Sequence, residues 1–306
     1  MSKLNEERIR QFGALEFKAN QVVEGFITGL HKSPFHGFSV EFAEHRQYNR
    51  GDSTKHIDWK LYGRTEKLFI KKYEEETNLR CQILIDHSGS MYFPELNAQN
   101  EYNKISFAAN AAAALATLLR KQRDAVGLGV FSDKIESFLP PKTSSVHMKE
   151  VFNQLEKLLA TEGSGSTNTV ETLHLIAERV HKRSLIVLFT DMFDSSGHEE
   201  EEIFRALQHL KFNNHEIILF HVLDHQFEMA FDYENRPHDF IDIESGEKLK
   251  LNPKQIQAQY KEQMSEYVKK LKIKCAQFKI DLVEADIRAG FDNVLLNYLV
   301  KRSKMY

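Results

Sequence analysis

The sequence predicts an α/β protein with a doubly wound, mainly parallel sheet. Short apolar runs of strand type alternate with helical stretches, and these runs cover residues 81–85, 125–131, 185–189, 216–223 and 280–285. Alternation of strand, helix and strand is typical of a parallel sheet with helices on both faces. Polar Asp, Ser and Thr residues follow two of the runs directly, at the end where such sheets bind ligands.

The helices between these runs are predicted from apolar residues at helical spacing, over residues 105–120, 148–159, 170–181 and 198–212. Residues 135–139 are expected to return beside strand 125–131 as an antiparallel edge strand that stops at Pro140 and Pro141. A further helix begins at Asn252 and Pro253, and a final helix includes residues 294–299.

The first 78 residues differ from the remainder of the chain in their pattern of predicted helices and strands. An imperfect helical stripe over residues 4–30 precedes short β-type pieces between residues 34 and 75, which predict a small hairpin or sheet. We therefore divide the chain into an N-terminal segment, 1–78, and an α/β domain, 79–306. Within that domain, residues 225–251 break the alternation and predict an inserted hairpin.

Composition excludes several classes of protein. The chain has 306 residues, of which 42% are hydrophobic and 28% charged, with a net charge of -3, so no basic field indicates nucleic-acid binding. The N-terminus lacks the apolar segment of a secretory signal, and no run predicts a membrane helix. Cys81 and Cys275 are expected to be buried and unpaired, as in a reducing compartment. We expect a cytoplasmic protein.

A carboxylate and two hydroxyls follow the first apolar run of the α/β domain. Residues 80–91 read RCQILIDHSGSM, and Asp86, Ser88 and Ser90 lie on a loop that small Gly89 allows to curl. Three oxygen donors at alternate positions can face one point, as a hard divalent cation requires. The same pattern also arises by chance in serine-rich loops.

Two further oxygen donors follow at larger spacing. Thr167 lies in the loop GSGSTNT, and Asp191 follows the strand predicted over 185–189. The five candidate ligands are Asp86, Ser88, Ser90, Thr167 and Asp191.

In chain order, these five residues resemble the metal-ion-dependent adhesion site of von Willebrand factor A domains. The resemblance implies Mg²⁺ or Mn²⁺ in direct contact with Ser88 and Ser90, with Thr167 binding directly or through water. It implies that Asp86 and Asp191 bind mainly through water. Largely neutral direct ligands leave a cation able to attract the acidic side chain of a partner protein.

A second resemblance lies in the N-terminal segment. Its family-signature residues are Arg46, Tyr48, Gly51, Asp52, Asp58, Trp59 and Arg64. They resemble the signature of the bacterial family named domain of unknown function 58, and the likeness in organisation extends over essentially the whole chain. Gly63 stands where that family often has alanine. The resemblance implies a MoxR-type AAA+ ATPase as partner, in a chaperone-like or complex-assembly system.

The signature segment admits two interpretations. Its charged residues could form a partly buried ion-pair network around Trp59, or they could present a surface to a partner. The first interpretation makes the segment structural, whereas the second makes it a binding site in its own right.

Other candidate residues are interpreted as lying outside the metal site. His87 is expected to point away from the metal, and Asp194 is a weaker acidic candidate than Asp191 because it lies farther from the strand end. Four residues near the inserted hairpin lack metal-ligand spacing and are expected at the surface: Asp224, His225, His238 and Asp239.

The sequence therefore favours a metal-dependent protein-interaction module and not an enzyme. The loop GSGSTNT lacks the lysine of a nucleotide-binding P-loop, and no zinc-protease motif or nucleophile elbow occurs. One alternative is a Mg²⁺-dependent hydrolase at the same site. Another is a module that binds through the Trp59 segment while its metal site is non-functional.

Overall fold

The computed structural model describes residues 14–29, 45–48, 59–71, 79–97, 102–161, 169–192, 200–242 and 246–303. The chain divides into a large unit, Met1–Phe35 with Arg80–Tyr306, and a small unit, His36–Leu79. The strands are β1 (His45–Gln47), β2 (Phe69–Lys71), β3 (Arg80–Asp86), β4 (Ala125–Phe131), β5 (Ile135–Lys142), β6 (Leu185–Thr190), β7 (Glu216–Leu223), β8 (His238–Ile241), β9 (Lys248–Leu251) and β10 (Asp281–Asp286).

The helices of the described residues follow the same chain order. They are α1 (Ala14–Gly29), α2 (Trp59–Thr65), α3 (Lys104–Lys121), α4 (Ser145–Ala160), α5 (Thr169–Arg179), α6 (Glu200–Phe212), α7 (Pro253–Gln277) and α8 (Phe291–Ser303). None of these helices has the length and apolar character needed to cross a membrane.

The small unit contains a short antiparallel strand pair. Strands β1 and β2 pair with Arg46 opposite Ile70, as the β-type pieces in this segment led us to expect. Helix α2 was not predicted, because seven residues are too few to show an apolar periodicity. The Thr65 hydroxyl donates to the Leu61 carbonyl at 2.9 Å within this helix.

The large unit is built on a six-stranded sheet in the order β10-β7-β6-β3-β4-β5. Strand β5 is antiparallel to β4, and the other neighbouring strands are parallel. When the six strands of this sheet are numbered along the chain, their order from β5 to β10 is 3-2-1-4-5-6, the doubly wound arrangement of Rossmann-like folds. The predicted fold class is confirmed. Strands β8 and β9 form a separate hairpin within residues 225–251.

Strand β5 continues through Pro140 and Pro141 to Lys142, so the predicted stop at the prolines is wrong. An edge strand tolerates proline because one side of its backbone has no neighbouring strand to receive an N–H. The pairing of β4 with β5 is irregular between Val126 and Leu128, where the register shifts.

Helix α3 lies at the centre of the large unit, and its residues 104–119 are all buried. Its many alanines permit close packing, and α1 packs against it. The guanidinium of Arg120 donates to the Glu16 carboxylate at 2.7 Å, which joins the two helices. The N-terminal helix therefore belongs to the large unit.

Two glycines of β4 make room for a buried polar side chain from β3. Gln82 is fully buried, and when its amide group is oriented with the oxygen toward β4, that oxygen accepts from the backbone N–H groups of Leu128 and Gly129, each at 3.2 Å. A Cβ atom on Gly127 would lie 2.5 Å from the Gln82 amide and 2.6 Å from the Leu139 carbonyl oxygen. The glycine thus allows β3, β4 and β5 to approach one another where the register shifts.

We predict that Gly127→Ala destabilises the protein by about 1–3 kcal/mol, because the added methyl group meets backbone atoms that cannot move independently. Chemical denaturation measures the effect. Gly25→Ala is the matched control, since nothing lies within 4 Å of a Cβ atom there and alanine favours the helix. Equal stability of the two variants would contradict this account of β4.

Candidate functional site

The two candidate carboxylates leave the sheet side by side. Strands β3 and β6 are neighbours at the point where the strand order reverses, and Ile85 pairs with Phe189. The next residues, Asp86 and Thr190, end these strands at the carboxyl edge, and Asp191 follows directly. This edge is where doubly wound sheets bind ligands.

The Asp86 carboxylate is fixed by hydrogen bonds from two directions. The Ser88 backbone N–H donates to its Oδ1 at 3.0 Å, and the Thr190 hydroxyl donates to its Oδ2 at 2.7 Å. The Thr190 oxygen in turn accepts from the Met192 N–H at 2.9 Å. Asp86 is fully buried, so these contacts replace water around its oxygens.

The hydroxyls of Ser88 and Ser90 lie 3.0 Å apart. Ser88 is fully buried and Ser90 is half-buried, at the start of a short 3₁₀ helix, Gly89–Tyr92. Two ligands at right angles on Mg²⁺ are about 2.9 Å apart, given Mg–O distances of about 2.0–2.1 Å. The hydroxyl pair therefore has the spacing of neighbouring ligands on a small hard cation.

Electrostatics at Asp86 also fit a cation. Burial and, second to it, the negative charge of Asp191 together raise the pKa of the Asp86 carboxyl to about 7. The hydrogen bonds from Thr190 and Ser88 act in the opposite direction. A divalent cation between these oxygens would favour the ionised carboxylate. The donor set present, two hydroxyls and buried carboxylates, thus suits Mg²⁺ or Mn²⁺.

Asp191 is paired with a lysine that the sequence analysis did not identify. The Lys104 ammonium donates to Asp191 Oδ2 at 2.7 Å and to Glu228 Oε1 at 2.6 Å. Burial lowers the pKa of Lys104, but the two carboxylates raise it by more, so the ammonium stays charged. The sequence did contain one indication that Lys104 is buried, since it lies in line with Ala108 and Ala111 on an apolar helix face.

Glu228 lies on a short π-helix, His225–Met229, directly after β7. Its Oε2 accepts from the Asp224 backbone N–H at 2.7 Å. Burial raises the pKa of Glu228, and the charge of Lys104 opposes that effect. Glu228 thus adds a third carboxyl group near the site. The sequence analysis did not identify this residue.

Asp224 is fully buried, so the expectation of a surface position is wrong for this residue. Arg288 donates to both of its oxygens, at 2.8 Å and 2.9 Å, and Asp224 also accepts from backbone N–H groups of the π-helix. His225 and Asp239 are exposed as expected, and His238 is half-buried. The role of Asp224 is to anchor the π-helix.

Two histidines flank the site without facing the hydroxyl pair. His221 Nε2 donates to the Asp191 carbonyl at 3.0 Å, and burial lowers its pKa to about 4. His87 Nδ1 lies 2.9 Å from a Glu136 carboxylate oxygen, and its Nε2 lies 2.7 Å from the Tyr92 hydroxyl. Both ring nitrogens of His87 are therefore engaged.

The structure brings together Asp86, Ser88, Ser90 and Asp191, and Thr167 and Asp194 lie outside the described residues. Among the described residues, no group of three or more His, Cys, Asp or Glu side chains is arranged to hold a metal ion. Any cation here would consequently depend on the serine hydroxyls.

The signature segment is described in part, since Gly51, Asp52 and Asp58 lie outside the described residues. Trp59 is 63% exposed and packs edge-on against Tyr62, with ring centroids 6.1 Å apart. Trp59 is therefore largely exposed, and the ion-pair network expected around it includes residues outside the described ones. Arg46 lies on β1, Tyr48 follows it half-buried, and Arg64 is exposed on α2.

Comparison with known proteins gives relatives without an assigned function. The uncharacterized protein Rv1480 of Mycobacterium tuberculosis is 20% identical over 177 residues, which are 58% of this chain and 55% of that protein. The uncharacterized protein Mb1516 of Mycobacterium bovis matches to the same extent. The chain thus spans about half the length of these curated relatives.

Solved structures with a similar arrangement were also found. An aerotolerance-related membrane protein from Bacteroides fragilis is 14% identical, with 75% of this chain and 100% of that chain covered and a TM-score of 0.45. A von Willebrand factor type A structure from Catenulispora acidiphila is 16% identical, with 63% and 43% covered and a TM-score of 0.35.

A family comparison covers a larger part of the sequence. The family described as "Protein of unknown function DUF58" matches residues 44–270, which is most of the chain, and the protein therefore belongs to this family.

Proposed function

We propose that this protein is a metal-dependent protein-interaction module. Mg²⁺ or Mn²⁺ would be held at the carboxyl edge of the sheet by Ser88 and Ser90, with Asp86 and Asp191 behind them and Thr167 completing the set. The observation that carries the proposal is the hydroxyl pair at 3.0 Å beside a carboxylate locked by Ser88 and Thr190.

When bound, the cation would supply an incompletely neutralised positive charge to an acidic side chain of a partner. Ser88 is fully buried whereas Ser90 is half-buried, so the approach of a partner is from the Ser90 side. The chain's own residues then orient the hydroxyls and exclude water from the rear of the site. The partner's carboxylate would complete the coordination.

We propose binding and not catalysis at this site. Both ring nitrogens of His87, the imidazole nearest in sequence to the hydroxyls, are engaged by Glu136 and Tyr92, so it is not poised to activate a water molecule. The family resemblance supports a MoxR-type AAA+ ATPase as the partner, in a cytoplasmic chaperone-like or complex-assembly system. Within the described residues, no contact favours the alternative of a Mg²⁺-dependent hydrolase.

We predict that metal-free protein binds Mg²⁺ or Mn²⁺ saturably and that Ser88→Ala and Asp86→Ala lose this binding, because each removes an oxygen donor of the site. Isothermal titration calorimetry measures the binding. Asp239→Asn, at an exposed aspartate, is the control and should bind like the wild type. Equal binding by Ser88→Ala and the wild type would contradict the proposed site.

A second candidate function has one specific observation in its favour. Trp59 and Tyr62 form an exposed aromatic pair on α2, and aromatic side chains of this kind are enriched where proteins bind one another. The protein could therefore bind its partner through the Trp59 segment, with a metal site that plays no part.

Partner capture distinguishes the two candidates. We predict that a purified MoxR-type AAA+ ATPase from the same genome is retained by the wild-type protein in Mg²⁺ and released by a chelator, and that Ser88→Ala loses retention. Biolayer interferometry gives the two affinities. Retention that survives in Ser88→Ala but fails in Trp59→Ala would instead assign binding to the aromatic pair.

A further inference from the structure

A buried lysine is bonded to Asp191, one of the two carboxylates of the proposed cation site. Lys104 is 1% exposed and begins α3, where the helix dipole disfavours a positive charge. A capping box formed by Asn103 and Ser106 fixes this helix start. The ammonium is therefore kept inside the protein by its carboxylate contacts, against both burial and the dipole.

The Lys104 ammonium is shared between two carboxylates that belong to different parts of the fold. Asp191 Oδ2, at 2.7 Å, belongs to the candidate cation site, whereas Glu228 Oε1, at 2.6 Å, belongs to the π-helix after β7. These residues are 87 and 124 positions from Lys104 in the sequence. One positive charge thus joins the site to a separate segment of the fold.

Glu228 is held in place by contacts that do not involve Asp191. Its second oxygen accepts from the Asp224 N–H at 2.7 Å, and Asp224 itself is clamped by Arg288 through two hydrogen bonds. The Arg288 guanidinium also lies over the Phe227 ring, 5.0 Å from its centroid. Glu228 on this anchored π-helix is therefore a second carboxylate that can accept hydrogen bonds from the Lys104 ammonium.

We propose that Lys104 is a built-in counter-cation for Asp191 that competes with the divalent ion, and that Glu228 retains the ammonium when the ion binds. The inference rests on the proposed function, because it concerns the same cation site. The Asp191 carboxylate has one negative charge to share. A divalent cation bound to that carboxylate would be repelled by the positive charge of the Lys104 ammonium on the same group. Metal occupancy and the Lys104–Asp191 pair consequently oppose each other.

Competition makes the cation site responsive to the segment that carries Glu228. Binding of the divalent ion weakens the hold of Asp191 on Lys104 and leaves the ammonium to Glu228. By thermodynamic reciprocity, any event that removes Glu228 from Lys104 strengthens the pair with Asp191 and lowers metal affinity. The π-helix is thereby coupled to metal binding through one side chain.

The decisive variant removes both charges of the Lys104–Glu228 pair. Lys104→Met with Glu228→Gln leaves the net charge unchanged but frees Asp191 from the ammonium. We predict Mg²⁺ binding at least about tenfold tighter than in the wild type, since the competing cation is gone. Isothermal titration calorimetry with Mg²⁺ alone measures it, and Mn²⁺ electron paramagnetic resonance confirms the affinity order.

The single variant Glu228→Gln tests the opposite direction. It removes the Glu228 charge from the ammonium and leaves that of Asp191, so Mg²⁺ affinity should fall below that of the wild type. The matched control removes an exposed lysine–glutamate pair, Lys272 and Glu284, whose side chains lie 2.9 Å apart. Lys272→Met with Glu284→Gln should bind Mg²⁺ like the wild type.

The outcomes separate this inference from the proposed function. Tighter binding in the Lys104/Glu228 double variant supports competition, including the case in which the wild type binds no measurable Mg²⁺. Unchanged or weaker binding in a folded double variant overturns it and leaves the metal-dependent module intact. Absence of binding in both proteins overturns both proposals. If the double variant does not fold, Glu228→Gln decides: weaker binding supports the inference, and unchanged or tighter binding overturns it.

Discussion

Removal of two carboxyl groups from water is the constraint on which the carboxyl edge of the sheet depends. Asp86 and Asp191 are fully buried, and a buried charge costs several kcal/mol unless other groups compensate it. Each compensating group comes from a different part of the fold: the Ser88 N–H from the loop after β3, the Thr190 hydroxyl from the end of β6, and the Lys104 ammonium from the start of α3. The edge is stable only when these elements are assembled together.

The same arrangement is suited to two kinds of positive charge. On the Asp86 side, two hydroxyl oxygens 3.0 Å apart offer hard oxygen donors. On the Asp191 side, an ammonium is already present and is shared with Glu228. The carboxylates of a structural ion pair and of a candidate metal site therefore lie at the ends of adjacent strands, and we propose that both set the affinity of the site for a cation.

Local sequence patterns predicted the sheet and the two carboxylates at its edge for a simple reason. Parallel strands are buried, so they appear as short apolar runs, and the polar residue that follows each run lies at a common edge. Asp86 and Asp191 were found in this way. Lys104 and Glu228 were not predicted, because Lys104 contacts Asp191 and Glu228 across 87 and 124 positions of sequence. An isolated lysine on an apolar helix face does not indicate which carboxylate it pairs with. The seven residues of α2 were likewise too few to show the apolar periodicity from which a helix is predicted. The end of β5 was predicted too early because an edge strand can continue through prolines.

We propose that the hydroxyl pair of Ser88 and Ser90 receives a divalent cation. Anomalous diffraction from crystals grown in saturating Mn²⁺ tests it most directly, because Mn²⁺ accepts the same oxygen ligands and its position is seen without reference to activity. The account predicts an anomalous peak within coordination distance of both serine hydroxyl oxygens. No peak there at saturation, or a peak bound only by surface carboxylates, would contradict it.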